Sequence, residues 1–598
     1  MCSHHYEIIV QNSALHSSDF RLFVIAIKPQ HPIHLEIQRR DTTPVGILRT
    51  SYRDPVSGRI RHTDHGRVTG LPLGTLLTFQ AALRGEVILK SDPEALHTTD
   101  SREYGASAAL LGLAKDIGLD KAIYSRPHEP WVQDCLAMIV GRLVHQGSKL
   151  ALSQCTAYSA LWSLCGSDGP IDVNEHCYKP MDRLLERQPA IQKNLAAKHL
   201  ANGTLVLYDI TSSYFEGEYA DSGIVQFGYN RDGKRGHEQV VIGLITTDAG
   251  CPICVEVFPG NTQDASTVAA KVSDLSTLYG ISNLVFVGDR GMVTASNEEK
   301  LKALPEGEAI QIISALTHRE IVQMLERTGN QPELFDQHKI VEVTDPDEPS
   351  RRYCLCRNPL TARRETTTRR ELLERTKEEL ERIAATALKS AATKKPTSPE
   401  FIGARVGKIL GKTKMGKYVT WRVLPGGILE WHLDDGQIAA DTALDGCYVI
   451  KATVSATVMD KEQVVARYKS LSQVEQAFRN LKTVSLEMRP MYHKTDERIR
   501  AHVFLCMLAY YLQWHMIERL APLLDEQRRQ LDEGEIIPAA RRWTLQNIIE
   551  TLKARRSETA SLAGVSFEHL TDPTADQARL LDLLASPAKE SPSPVQAP

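Results

Sequence analysis

The sequence predicts an α/β chain: a mixed-sheet core interrupted by a long insertion and preceded by β-containing and helical regions. Three observations carry that expectation. Thr204 to Tyr208 and Leu284 to Val287 are short runs rich in Val, Leu and Phe, and Asp209 and Asp289 follow them, the second after a single glycine. Apolar runs of that length read as buried strands, and a residue just past one emerges at the sheet edge, where ligands gather in open α/β sheets. A third acid, Glu475, lies in a helical pattern 186 positions after Asp289, too far for a plain loop, so an inserted domain is expected between them.

Residues 1–95 hold short β-like runs between Pro, Gly and Asp clusters, and residues 96–200 read as helical. Within the latter, Ala108 to Ile117, Gly118 and then Leu119 onward have the composition of helix, turn and helix, a weak pattern that ordinary packing also produces. In the first part of the core, 201–314, the runs Gln239 to Thr246 and Ile253 to Phe258 read as strands joined by the turn Asp248-Ala-Gly-Cys-Pro252. Asp264 to Tyr279 then reads as a helix leading to the Asp289 strand. Three strands, a helix and a fourth strand are an order in which a helical crossover allows the fourth strand to lie beside the first; that adjacency, which would bring Asp209 and Asp289 together, is the arrangement expected here.

The insertion, 315–450, is marked by charge. Residues 351–422 carry nineteen Lys or Arg against seven Asp or Glu, whereas the whole chain has a formal charge of -3. Such a local excess suits phosphate contact, and Arg363, Arg364, Arg369 and Arg370 are its densest cluster. They open a charged helix, Arg363 to Leu388; Tyr418 to Val423, Ile428 to His432 and Cys447 to Thr453 read as short strands. A solvated helix with flexible basic flanks would have the same composition.

In the second part of the core, 451–530, Tyr468, Glu475 and Lys482 are spaced by seven. On a continuous helix these, with Arg479 one turn beyond Glu475, share one face, while Val474, Phe478 and Leu481 form the face that packs on the sheet. A carboxylate flanked by an aromatic hydroxyl and two cations suits a phosphate backbone lying along the helix. By itself the pattern fits an ordinary amphipathic helix with a solvated charged face better. Two strand-end aspartates and a helical glutamate make an all-oxygen ligand set for hard divalent cations, held about 4 Å apart in two-metal phosphoryl-transfer sites.

Around these acids the chain resembles the DDE transposases of bacterial insertion sequences, in the branch with a Y-(2)-R-(3)-E-(6)-K signature. The residues carrying the resemblance are Tyr208-Asp-Ile-Thr-Ser-Ser-Tyr-Phe-Glu216, Gly228-Tyr-Asn-Arg-Asp-Gly-Lys234, Val257-Phe-Pro-Gly-Asn-Thr262, Gly288-Asp-Arg-Gly-Met292, the Tyr468–Lys482 stretch and Arg498-Ile-Arg-Ala-His502. It implies a ribonuclease H-like core with a β-rich insertion and Asp209, Asp289 and Glu475 as the catalytic, metal-binding triad. Tyr468 and Lys482 are implied as DNA contacts, and Arg290 and Arg479 are candidates beside them. The implied reaction is cleavage of element ends and joining of their 3′-hydroxyls to target DNA, with magnesium (manganese substituting), since no histidine falls in the triad motifs. The implied partners are terminal inverted repeats, target DNA and a second copy of the chain, with end recognition assigned to residues 1–200 and within them to the helical region 96–200. One departure is plain: Leu471 stands where the signature has arginine, so Arg467 or Arg479 would have to supply that phosphate contact.

Two other functions share some of these features. A haloacid-dehalogenase-like phosphatase also opens with a strand and Asp-x-Thr, here Asp209-Ile-Thr211, but leaves the helix signature and basic insertion unexplained. A domesticated, non-catalytic DNA-binding protein would have no need of three intact carboxylates. Cytoplasmic placement is expected: no secretory signal pattern opens the chain, and the longest apolar run, Val503 to Leu512, is ten residues and too short to span a bilayer. The eleven cysteines lack paired framework spacing. Neither Cys251-Pro-Ile-Cys254 nor Cys354-Leu-Cys356 has a convincing second ligand pair for structural zinc. Residues 531–598 are expected to be helical, with a disordered tail from Ser586.

Overall fold

The computed structural model describes Leu22 to Ser586 except 26–32, 41–42, 54–57, 85–86, 91–95, 202, 232–233, 235, 264–266, 268–283, 291, 303–309, 330–338, 394–396, 485, 487, 490 and 563–564. The helix expected over Asp264 to Tyr279 therefore lies outside the described residues but for Thr267, as does the tail after Ser586. The chain divides into two compact units. One comprises 1–105, 157–160 and 553–574, the other 106–156, 161–552 and 575–598.

In the first unit, Ile33–Arg40, Thr43–Arg53 and Ile60–Val68 form an antiparallel sheet. The helix Leu73–Leu83 packs on it through the buried Leu76. Leu22–Ile25 pairs with Val87–Lys90. A further sheet joins the two ends of the unit's sequence: Leu96–Glu103 pairs with Arg556–Leu562, which continues into Val565–Leu570. The C-terminal region expected to be helical is so at Leu545–Lys553 and Ala575–Ala585. Between them it is extended, because its partner strand lies some 450 positions earlier in sequence, where no local pattern announces it.

The second unit is built on an eight-stranded sheet. Its strands are β1 (Thr204–Tyr214), β2 (Gln239–Thr247), β3 (Pro252–Pro259), β4 (Leu284–Gly288), β5 (Ile310–Ala315), β6 (Val341–Thr344), β7 (Arg352–Arg357) and β8 (Cys447–Ala452). They lie in the order β6-β7-β8-β5-β4-β1-β2-β3. β4 runs parallel to both β1 and β5, and β2 is antiparallel to β1 and β3. The β3-β2-β1-β4-β5 portion is the ribonuclease H-like arrangement. All nine residues of β2 and all five of β4 are buried, as expected for central strands covered on both faces. The helix α1 (Gln188–His199) leads into β1 and packs on β3.

The segment expected as a β-rich insertion does two things. β6 and β7 pair antiparallel with each other, and β7 with β8, so part of it extends the core sheet. The remainder is mainly helical: α2 (Pro359–Ala391) and α3 (Pro399–Thr413) pack as a hairpin through Leu380, Ile383, Val406 and Leu410 against the two strands Val419–Leu424 and Ile428–Leu433. Asn358 caps α2 by accepting from the amides of Leu360 and Thr361, with Pro359 in the first turn. After β8 come α4 (Lys461–Lys469), α5 (Leu471–Arg479) and the long helix α6 (Asp496–Asp532). The apolar run Val503 to Leu512 is the wholly buried middle of α6. No helix among the described residues is long and apolar enough to cross a membrane.

Candidate active site

The parallel pairing of β1 and β4 determines where their acids lie. Gly288, the last residue of β4, sits beside Tyr208, so the next residue of each strand, Asp289 and Asp209, falls at the same edge. Glu475 arrives from α5, whose Val474, Ala477 and Phe478 are buried and which packs on β1. Asp209, Asp289 and Glu475 line one cleft of about 200 Å³, together with Tyr468, Lys469, Leu471 and Ser472.

Electrostatics within the cleft are uneven. The Asp209 carboxyl is pushed up to about 7, first by burial and then by the negative charges of Asp289 and Glu475; the Ile210 amide and the positive charge of Arg231 act in the opposite direction. Asp289 Oδ1 accepts from the Arg290 amide at 2.7 Å and from the Tyr468 hydroxyl at 3.3 Å. Burial beside these acids raises the Tyr468 phenol, keeping it a hydrogen-bond donor. Three acids around a small cleft, with the Asp209 carboxyl raised by burial and by its neighbours, form a donor set that suits hard divalent cations: every candidate ligand atom is a carboxylate oxygen, and added positive charge would relieve the crowding.

Two expectations are corrected here. Lys482 does not share an outward face with Glu475. It is 7% exposed and donates to Thr211 Oγ1, on the strand that carries Asp209. Its seven-residue spacing presumed an unbroken α-helix, but the helical run is interrupted at Ser470 and passes into a π turn over Asn480–Val484. A π turn advances fewer degrees per residue, which rotates Lys482 off the Glu475 face and into the interior. Arg369 is likewise not a free surface cation. Its guanidinium pairs with the buried Asp445 and donates to Tyr418 Oη at 3.1 Å and Thr442 Oγ1 at 2.8 Å, locking α2 to the segment before β8. Arg363, Arg364 and Arg370 are exposed on α2, and Arg290 and Arg479 are exposed near the carboxylates in sequence.

Leu471, in place of the signature arginine, is 8% exposed and forms part of the cleft wall. Arg467, one candidate substitute, pairs with Asp248 at 2.7 Å. Sequence reasoning did not single out Arg231, although it belongs to the Gly228–Lys234 stretch. Its amide donates to Ser212 Oγ at 3.0 Å, and its charge acts on Asp209. The glycine opening that stretch has a steric reason: a Cβ on Gly228 would lie 1.9 Å from the Gly260 carbonyl oxygen. Gln239 fastens both loops from below, its side-chain amide donating to Tyr229 O at 3.0 Å and Gly260 O at 2.9 Å.

A family model described as a transposase DDE domain matches residues 204–512, slightly more than half of the chain. Among solved structures, the chain is similar to the piggyBac transposase in a synaptic complex with hairpin DNA, with 9% identity, 76% of this chain and 80% of that chain covered and a TM-score of 0.34. It is also similar to the Mos1 transposase in a paired-end complex with the left transposon end, with 15% identity, 30% of this chain and 57% of that chain covered and a TM-score of 0.13. A search of curated proteins gave no match.

Proposed function

Because the chain belongs to the transposase DDE-domain family, we propose that Asp209, Asp289 and Glu475 are the acids with which it cuts the ends of its own element and joins the released 3′-hydroxyls to target DNA. The observation that carries this reading is the convergence of the three carboxylates on one cleft from two parallel strand ends and a helix. Both steps are in-line displacements at phosphorus. Magnesium held by these carboxylates would supply Lewis-acid activation of the attacking oxygen and stabilisation of the leaving one.

The chain's own groups do the rest. Tyr468 holds the Asp289 carboxylate by donating to Oδ1. Lys482 ties its helical segment to the strand that carries Asp209 by donating to Thr211. Arg231 offsets the negative charge around Asp209. Lys469 on the cleft wall and exposed Arg290 and Arg479 are the phosphate contacts of this reading, and the exposed Arg363, Arg364 and Arg370 on α2 are further ones. The partners are the terminal inverted repeats, target DNA and a second copy of the chain that holds the other end, acting in the cytoplasm.

The test is cleavage of a linear DNA carrying the repeats that flank the gene, by the purified full chain. Asp209→Ala, Asp289→Ala and Glu475→Ala should each abolish magnesium-dependent cleavage and strand transfer while end binding persists. Manganese should substitute, and calcium should permit binding without turnover. Cleavage retained by one variant removes that residue from the triad; cleavage in chelator defeats the metal-dependent mechanism.

A further inference from the structure

A second group of potential ligands lies away from the carboxylate cleft. His199 is the last residue of α1, Cys251 sits in the β2–β3 turn, and His515 is on α6. One ligand atom from each falls within 4.8 Å of both others. Among the described residues no other group of three such side chains brings its ligand atoms this close; the oxygens of Asp209, Asp289 and Glu475 are spread more widely around their cleft.

We propose that His199, Cys251 and His515 form a zinc site that clamps these three elements together. The donor chemistry selects the ion: one thiol and two imidazoles suit zinc, not the magnesium that suits the all-oxygen cleft. Three protein donors leave a fourth tetrahedral position for solvent. The surroundings are already arranged. Cys251 is 1% exposed, and its amide donates to Thr247 Oγ1 at 3.2 Å, fixing the turn. Trp514 Nε1 donates to Ala249 O at 3.0 Å, so α6 holds the same turn independently of any metal. His199 is oriented by a 2.8 Å hydrogen bond between its Nε2 and the Tyr511 hydroxyl, the kind of contact that fixes the ring of a ligating imidazole. His515 gives the strongest indication. Its Nε2 is buried and no protein group hydrogen-bonds to it, so a water or an ion is needed to satisfy it.

The zinc-binding thiolate distinguishes this site from the carboxylate cleft, which contains no sulfur. Full-length protein should retain one zinc per chain after desalting. Reconstitution with cobalt should give a near-ultraviolet thiolate-to-cobalt absorption band, lost in Cys251→Ser and kept in Cys254→Ser. Zinc should raise the melting temperature of the wild type and not of Cys251→Ser. If Cys251→Ser does not fold, His515→Gln is the second variant and should lose the retained zinc. A protein without retained zinc or the cobalt band, or a band that survives both substitutions, overturns the site.

Discussion

Tyr468 donates its hydroxyl hydrogen to Asp289 Oδ1 while its ring packs against the core, so its chemical and structural contributions separate cleanly. Tyr468→Phe keeps the ring. It should slow cleavage about tenfold, the scale of one hydrogen bond to a charged group, with stability unchanged within about 0.5 kcal/mol; an unaltered single-turnover rate would remove the hydroxyl from the machinery. Arg369 behaves in the opposite way. Arg369→Ala leaves Asp445 buried without its cation, a loss of about 3 to 5 kcal/mol, so thermal denaturation should show a large fall. Arg363, Arg364 and Arg370 neutralised together should leave the melting temperature near its original value. The slope of log affinity for DNA against log salt should become shallower by about one for each phosphate that these arginines had neutralised. An unchanged slope would make α2 an ordinary solvated helix. Asp209 and Asp289 were legible in the sequence because an acid at the end of a buried apolar run has few places to go, whereas Glu475, on a helix, stood out through the signature resemblance. The engagements of Arg369 and Lys482 were not legible, since each partner, Asp445 and Thr211, is remote in sequence.

Elements were legible where periodicity was local and illegible where helices changed pitch. β1, β2, β3 and β4 coincide closely with apolar runs, and α2 with the charged helix expected from Arg363 onward. The Tyr468–Lys482 stretch failed as one helix because neither the break at Ser470 nor the π turn at Asn480–Val484 has a proline or glycine to mark it. The loop after β1 shows the converse: glycine at 228 reports a close approach to Gly260 that only the folded structure explains. A Cβ there cannot coexist with a carbonyl oxygen 1.9 Å away, so Gly228→Ala must push the two loops apart. Overpacking of this kind costs about 1 to 3 kcal/mol, and the displaced loop is the one that carries Arg231. Cleavage should therefore fall by more than the loss of folded protein accounts for, with Gly260→Ala giving the same result. Full specific activity in folded Gly228→Ala would dissociate the loop from catalysis.

Across the whole molecule, the sequence made the first and fourth strands neighbours but did not disclose that β7 and β8 continue the same sheet, since antiparallel pairing across the 89 positions between Arg357 and Cys447 leaves no short-range signal. Long-range closure also places a charge-capable group in the interior. Lys149, at the start of the short helix Lys149–Ser153, is 6% exposed and bonds His502 Nδ1 on α6 at 2.5 Å, while His502 Nε2 donates to Met488 O at 3.2 Å. His502 is therefore held as the neutral Nε2–H tautomer, with Nδ1 accepting from Lys149. Burial, reinforced by the charge of Arg142 and opposed by Cys506 and Cys177, lowers the Lys149 ammonium to about 7 from an ordinary 10.5; His493 also stacks near His502, at 5.1 Å between ring centroids. The sign of the linkage follows. Between pH 7 and 10.5 the unfolded chain holds the Lys149 proton and the folded chain does not, so this group adds stability as pH rises through that window and contributes no slope below it. Lys149→Met removes the titration while keeping an unbranched apolar stem in place. The stability of the wild type relative to Lys149→Met, measured by chemical denaturation, should increase between pH 7 and 10; a difference that stays constant or decreases would show that Lys149 keeps its proton in the folded interior.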